Sequence, residues 1–385
     1  TTDHAVYLDH AATTPVRAEV RAAMEPFAHE LFGNPSSLHR WGREASAALE
    51  DARAVVADAL GSRPSEIRFV RGGTESDNLA ILGTCTALAA KGPPPALLVS
   101  AVEHPAVLEA ARHAVAIGVA ALDTIPVAPS ASLDADVLSA GLEQGRSVVS
   151  IMWVNNETGL VLPVAGLTDL AKAEGAIVHS DASQAVGKVP VDVSRVPVDL
   201  LTATGHKIGG PKGMGILFVR DGTPLLPLLH GGGQERALRP GTEDVAAAVG
   251  FAEALRLAVE EQADEALRLE RLRAELERRL TTQLGGVRVN GGGAPRAAHV
   301  SSLAFEGLTD GQALVMALDL QGVAASGGSA CASGSAKGSH VIEALYGADD
   351  PHATVRFSFG KASVASDVDR AATATARVVS TLRGA

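Results

Sequence analysis

Short apolar and β-branched runs alternate with longer Ala- and Leu-rich stretches over the first two thirds of the chain. The runs Ile67–Val70, Leu97–Ala101, Val148–Trp153, Ile177–His179, Leu200–Ala203 and Ile216–Val219 are bounded by Gly, Pro, Asp or Asn and predict buried strands. Between them the pattern predicts helices over Glu44–Leu60, Asp77–Ala90, Ala106–Ile117, Asp134–Leu142 and Val164–Glu174. Alternation of this kind predicts an α/β protein with a mostly parallel sheet covered by helices.

The pattern changes after Thr242. Glu243 to Leu284 is almost continuously helix-forming, with Leu269, Leu272, Leu276 and Leu280 on one face, and Gly285–Gly286 and Asn290–Gly293 stop it. A strand (Val300–Phe305), a helix (Asp310–Leu320), a strand near Val323–Ser326 and a strand at Thr354–Ser358 follow. The expected division is an N-terminal segment over residues 1–15, a large domain over 16–255, and a smaller α+β C-terminal domain over 256–385.

Composition narrows the function classes. The 385 residues carry 33 basic and 44 acidic side chains, a net charge of −11, which argues against a nucleic-acid surface. Two cysteines, Cys85 and Cys331, are too few for a disulfide framework or a cysteine-built metal site, and no metal is expected. No apolar run reaches the roughly 18 residues of a spanning helix, and Thr1 to His10 has no signal-peptide pattern. A cytoplasmic enzyme with no membrane partner is expected.

Candidate chemistry gathers where strands end. Gly72-Gly73-Thr74-Glu75-Ser76-Asp77 follows a strand and opens a helix, which suits a phosphate cradle and equally a capped helix after a tight turn. Asp181 follows Ile177–His179, where a carboxylate can hold a protonated ring nitrogen or cap the next helix. Lys207, one of seven lysines, lies between an apolar strand and a Gly/Pro turn, where desolvation makes an amine a nucleophile toward an aldehyde. Thr204 lies three residues earlier, within reach of a phosphate. Asn155-Asn156 suits a carboxylate or phenolic oxygen, or an Asx turn. His104 is a candidate acid/base at another strand end, and Arg356 is a polar intrusion in an apolar run that could grip a carboxylate. Of the sixteen residues from Ala325 to His340, thirteen are Ala, Gly or Ser, so Cys331 is expected on an exposed, moving loop, whereas Cys85 packs among Leu82, Ala87 and Leu88.

In order along the chain, Tyr7-Leu8-Asp9-His10-Ala11-Ala12-Thr13-Thr14-Pro15, Gly33-Asn34-Pro35-Ser36-Ser37, Gly73-Thr74-Glu75-Ser76-Asp77-Asn78, Asn155-Asn156-Glu157-Thr158-Gly159, Gly205-His206-Lys207, Arg239-Pro240-Gly241-Thr242-Glu243 and Ser329-Ala330-Cys331 resemble the cysteine desulfurases. These are pyridoxal-phosphate enzymes of the class-V aminotransferase, fold-type I group. The long cysteine loop resembles the group I iron–sulfur and nitrogen-fixation type. The chain departs from that group at Ala336-Lys337-Gly338, at Pro240, and in ending at Arg383-Gly384-Ala385, which leaves the sulfur acceptor unassigned.

The resemblance implies a seven-stranded sheet and pyridoxal phosphate bound through Lys207. Asp181 would pair with the pyridine nitrogen, Gln184 would bond the phenolic oxygen, and His104 would stack on the ring and move protons. Gly73, Thr74, Thr204 and His206 would hold the phosphate, completed by Thr242 of a neighbouring subunit in a homodimer. Asn155 and Arg356, with Asn34 and Ala12 nearby, would bind L-cysteine. Cys331 would accept its sulfur as a persulfide and pass it to an acceptor protein, leaving alanine. The nearest alternatives are a selenocysteine or cysteine-sulfinate lyase, or an aminotransferase. A non-catalytic sulfur-relay or scaffold subunit is a further alternative, and a nicotinamide oxidoreductase is disfavoured because no GxGxxG follows the first strand.

Overall fold

The computed structural model describes residues 5–142, 146–327 and 338–384; Cys331 and Lys337 lie outside them. The strands in chain order are β1 (Val6–Tyr7), β2 (Ile67–Val70), β3 (Ala96–Ser100), β4 (Ala121–Ile125), β5 (Ser147–Ser150) and β6 (Ile177–Asp181). They continue as β7 (Leu200–Thr204), β8 (Gly215–Val219), β9 (Val287–Val289), β10 (Val300–Phe305), β11 (Val323–Ala324) and β12 (Ala353–Ser358).

Seven strands form the large sheet in the order β2-β8-β7-β6-β5-β3-β4. Only β8 runs against its neighbours; β3, β4, β5, β6 and β7 are mutually parallel, and β2 and β7 both pair antiparallel with β8. The carboxyl ends of β2, β3, β5, β6 and β7 therefore share one edge, the edge where α/β sheets bind ligands. Gly215 opens β8 at that edge. A Cβ there would sit 2.6 Å from the Ala203 carbonyl and 2.9 Å from Gly72 Cα, so only glycine lets the Gly72 turn cross so closely.

A second sheet, β12-β10-β9, is antiparallel, and β1 pairs in parallel with β11. Leu303, Phe305, Val355 and Phe357 from this sheet share a core with Leu269, Leu276 and Leu280 of the helix Gln262–Gln283 and with Val6 and Leu8 from the N-terminus. The preceding helix, Val245–Glu260, packs instead on Arg40–Leu60 and Ala18–Met24 against the large sheet. The expected continuous helix over 243–284 is thus two helices. The break falls at Glu261, whose carboxylate binds Arg17 (2.8 Å) and Lys361 (2.7 Å).

Other expectations shift by a few residues. Residues 151–153 leave the strand pattern after β5, although Ile151 and Trp153 still donate to carbonyls of β6 (3.1 and 2.9 Å). The helix expected from Asp77 begins at Gly73 and passes through a π-helical turn, Leu79–Gly83. The edge strand β4 was not legible because its residues are mostly exposed, with no run of apolar side chains.

Candidate active site

Five strand ends supply the site. Past β2, Gly72 adopts φ +112°, a conformation open to glycine, and the helix Gly73–Asn78 starts at once. The position of a Cβ on Gly73 would be 3.3 Å from Ser183 Oγ, and one on Gly72 would be 3.9 Å from Thr204 Oγ1. Ser183 Oγ is buried with no hydrogen-bond partner among the described residues. A helix N-terminus, two threonines (Thr74 exposed, Thr204 buried) and an unsatisfied hydroxyl thus gather at the end of β2, a set of donors suited to an anion.

Past β7, Gly205–Lys207 forms a single 3₁₀ turn. The turn is pinned from outside: Thr14 N–H donates to the His206 carbonyl (2.8 Å), and His206 Nδ1 lies 3.1 Å from Thr13 Oγ1. Lys207 is half-buried at the end of this turn, as a nucleophilic amine requires.

Asp181 is the last residue of β6 rather than the first beyond it, and its Oδ1 accepts from Ser183 N (2.8 Å). His104 caps the helix Pro105–Ala116, its Nδ1 accepting from Ala106 N (3.1 Å), which leaves the ring proton on Nε2. Burial, with added repulsion from Lys207 and His340, outweighs the Asp181 carboxylate and holds this imidazole below its usual pKa. It is a neutral proton donor and acceptor at neutral pH. Burial and the Asp181 charge likewise keep Glu103 protonated, its carboxyl pushed up to about 8.

Behind Asp181, a directed chain crosses the sheet. Ser150 Oγ lies 2.9 Å from His179 Nδ1, and His179 Nε2 lies 3.1 Å from Thr202 Oγ1. Thr202 donates to Ser76 (2.8 Å), which donates to the Ile216 carbonyl (3.0 Å). Since Thr202 spends its proton on Ser76, His179 carries a proton on Nε2, with Asp77 Oδ1 3.6 Å away. Burial depresses its pKa to about 4. An unfolded histidine titrates near 6.5, so the unfolded chain binds a proton that the folded chain refuses. The stability from this residue is present above pH ~6.5 and is lost as pH falls toward about 4, on the order of 3 kcal/mol in all. His179→Asn is expected to lose less stability than the parent between pH 7 and pH ~4.5 in urea unfolding; parallel pH profiles would contradict this.

Gln184 Nε2 donates to the Ala11 carbonyl (2.8 Å), next to Ala12, while its Oε1 faces Lys188 Nζ (2.8 Å) and His299 Nε2 (3.1 Å). This fixes the amide with one N–H left over, the donor a phenolic oxygen needs. Asn155 is different. Its Nδ2 donates to the Val102 carbonyl (3.0 Å), and its Oδ1 accepts from Glu157 N (3.0 Å), Thr158 N (2.8 Å) and Thr158 Oγ1 (2.9 Å). Fully buried, with its other N–H meeting Met152 Sδ (3.4 Å), Asn155 ties two strand-end loops together. The loop it holds supplies the Asn156 carbonyl, which accepts from Arg356 Nη1 (2.7 Å). Asn34 is exposed, with its Oδ1 on Ser36 N (2.9 Å).

Thr242 is exposed. Its loop is tied to the Gly72 turn by Arg239–Glu75 (2.9 Å) and Arg71–Asp244 (3.0 Å). Upstream, Glu235, Arg236 and Ala237 all have positive φ (44°, 59° and 60°), a strained run for residues with side chains. The buried Glu235 carboxylate holds that run in place, accepting 2.8 Å bonds from both Arg53 Nη atoms and from Phe69 N.

Cys331 lies outside the described residues. Just after it in the chain, Ser339 bonds Glu157 and His340 Nε2 meets the Glu103 carbonyl (2.9 Å), both beside the strand ends. Cys85 is buried against Ile81, Leu97 and Val107, and burial pushes its thiol up to about 12. It is a packing residue.

A model of the Aminotransferase class-V family matches residues 6–371. The cysteine desulfurase IscS of Dictyoglomus turgidum is 41% identical over 379 residues, 98% of this chain and 95% of the relative. The IscS-like cysteine desulfurase of Mycobacterium tuberculosis is 43% identical over 371 residues, 95% of this chain and 94% of the relative. The chain belongs to the cysteine desulfurases of the class-V aminotransferase family. A solved structure of a NifS-like protein matches it with a TM-score of 0.88 at 33% identity, over 98% of this chain and all of that one.

The cofactor of this family is pyridoxal phosphate. The desulfurase site fits that group on its own chemistry: an orphaned buried hydroxyl at an anion cradle, an amine, and a carboxylate at adjacent strand ends. The buried, unpartnered Ser183 hydroxyl beside Gly73 was not singled out in the sequence, although its place two residues after Asp181 was the available signal. Asp9, Lys188 and His299 were missed because only the fold brings them to the strand-end residues. Among the described residues no group of three or more His, Cys, Asp or Glu is arranged to hold a metal, and no helix is long and apolar enough to cross a membrane.

Proposed function

We propose that the protein takes the sulfur of L-cysteine onto Cys331 as a persulfide, releases L-alanine, and passes the sulfur to an acceptor protein in iron–sulfur cluster assembly or tRNA thiolation. The observation that carries the reading is the meeting of Lys207, Asp181, His104 and the Ser183 hydroxyl at one sheet edge in a desulfurase-family chain. Pyridoxal phosphate, when bound, supplies an aldehyde and an electron sink.

The chain's own residues do the rest. Lys207 would hold the aldehyde through its half-buried amine. Asp181 would hold the ring nitrogen's proton, and Gln184 would offer its remaining N–H to the phenolic oxygen. Gly73, Thr74, Ser183, Thr204 and His206 would hold the phosphate. Arg356 binds the substrate carboxylate, and His104, neutral and with its proton on Nε2, moves protons at the substrate. The Cys331 thiolate attacks the substrate sulfur: an S–S bond forms, the C–S bond breaks with its electron pair left on carbon, and a proton completes alanine.

The exposed Thr242 would complete the phosphate site of a second subunit in a cytoplasmic homodimer, with residues 16–255 as the large domain and 256–385 as the small one. The purified holoprotein given L-cysteine and a thiol reductant is expected to produce L-alanine and sulfide in equal amounts. Pyruvate in place of alanine, or no sulfide, would contradict the reading.

A further inference from the structure

Arg356 sits in the middle of β12, facing Ser302 of β10 on one side and Ser326 on the other. Ser326 takes both of its backbone groups, at 2.7 and 3.1 Å. The residue is 1% exposed. Nη1 donates to the Asn156 carbonyl and Nη2 to Asp9 Oδ1, each at 2.7 Å, while Nε is buried with no partner among the described residues. Two acceptors on different segments therefore fix the plane of a guanidinium on a flexible stem, and one edge of the fork keeps unused donors.

Asp9 is itself held. Leu8 N donates to the Ala324 carbonyl (2.9 Å), Ser358 N to the Leu8 carbonyl (2.7 Å), and His10 N to the Ser358 carbonyl (3.3 Å). The Tyr7 hydroxyl closes the turn onto the Asp9 carbonyl (3.1 Å). Cations crowd this end of the cleft: burial, then Lys207 and Arg356, push the Lys188 amine well below its usual value. Asp9 is the carboxylate ion-paired with Arg356 among the described residues.

We propose that Asp9 is a positioning residue that holds the Arg356 guanidinium with its free edge toward the substrate carboxylate, so that the site selects α-amino acids over plain amines. This rests on the reading of Arg356 as the carboxylate grip, and the test separates the two. The visible spectrum of the holoenzyme is titrated with L-alanine and, separately, with L-alaninamide, which keeps the amine and lacks the carboxylate.

Asp9→Ala is expected to weaken L-alanine about tenfold and leave L-alaninamide unchanged. Asp9→Asn, which keeps an acceptor oxygen in the same place, is expected to recover most of the loss. Equal weakening of both ligands by Asp9→Ala would assign Asp9 a structural role and overturn the proposal, as would tighter L-alanine binding. Arg356→Leu serves as the control. If it leaves the ratio of the two ligands unchanged, the reading of Arg356 falls and the Asp9 proposal with it. If Arg356→Leu removes the preference while Asp9→Ala retains it, only the Asp9 proposal falls.

Discussion

Lys207→Ala is expected to reduce turnover by at least about 10⁴-fold and to abolish covalent retention of the cofactor. Borohydride treatment of the holoenzyme, followed by peptide mapping, should place the reduced cofactor on the Lys207 peptide of the parent and on no peptide of the variant. Lys188 is the sharp control. It is also a desolvated lysine close to Lys207, but its amine is bonded to Gln184 at 2.8 Å and it lies outside the turn at the end of β7. Lys207 instead ends a 3₁₀ turn whose backbone is braced by Ile208 N on the Gly205 carbonyl (3.0 Å) and Gly210 N on the same oxygen (2.9 Å). Cofactor found on Lys188 would remove Lys207 from the account.

Cys331→Ala is expected to bring sulfide formation from L-cysteine to background while leaving the cofactor trapped on Lys207. The chain has two thiols, so the argument is one of elimination backed by environment. Cys85 is fully buried in the helix Thr84–Ala89, and its thiol is pushed up to about 12, which leaves almost no thiolate at neutral pH. Cys85→Ala should therefore keep desulfuration and lose only packing stability, on the order of 1–2 kcal/mol. Full sulfide production by Cys331→Ala would remove the persulfide step from the account.

The strand-end residues were legible in the sequence for a physical reason. Buried parallel strands are continuous apolar runs, so polar residues that follow them mark the sheet edge where ligands bind. Asp181, Lys207, His104 and Thr204 were read that way and lie at that edge. Asn155 shows the limit of such reading. An amide that faces a ligand and one that ties two loops have the same sequence context, and only its five hydrogen bonds to protein tell them apart.

Long-range pairs were beyond reach for the same reason. Asp9 meets Arg356, Lys188 and His299 meet Gln184, and Glu235 meets Arg53, each across a fold that local periodicity does not specify. The helix break at Glu261 belongs with these. Helix propensity favours continuing through it, but the two flanking helices pack on different cores, and tertiary packing decides.

The central claim is that the substrate's sulfur passes through Cys331. Its most direct test is the mass of the holoenzyme after brief exposure to L-cysteine without reductant, with the modified peptide then identified. The account predicts a protein heavier by one sulfur atom, carried on the peptide that contains Cys331 and lost again on adding a thiol. Sulfur on the Cys85 peptide, or alanine released with no sulfur left on the protein, would contradict it.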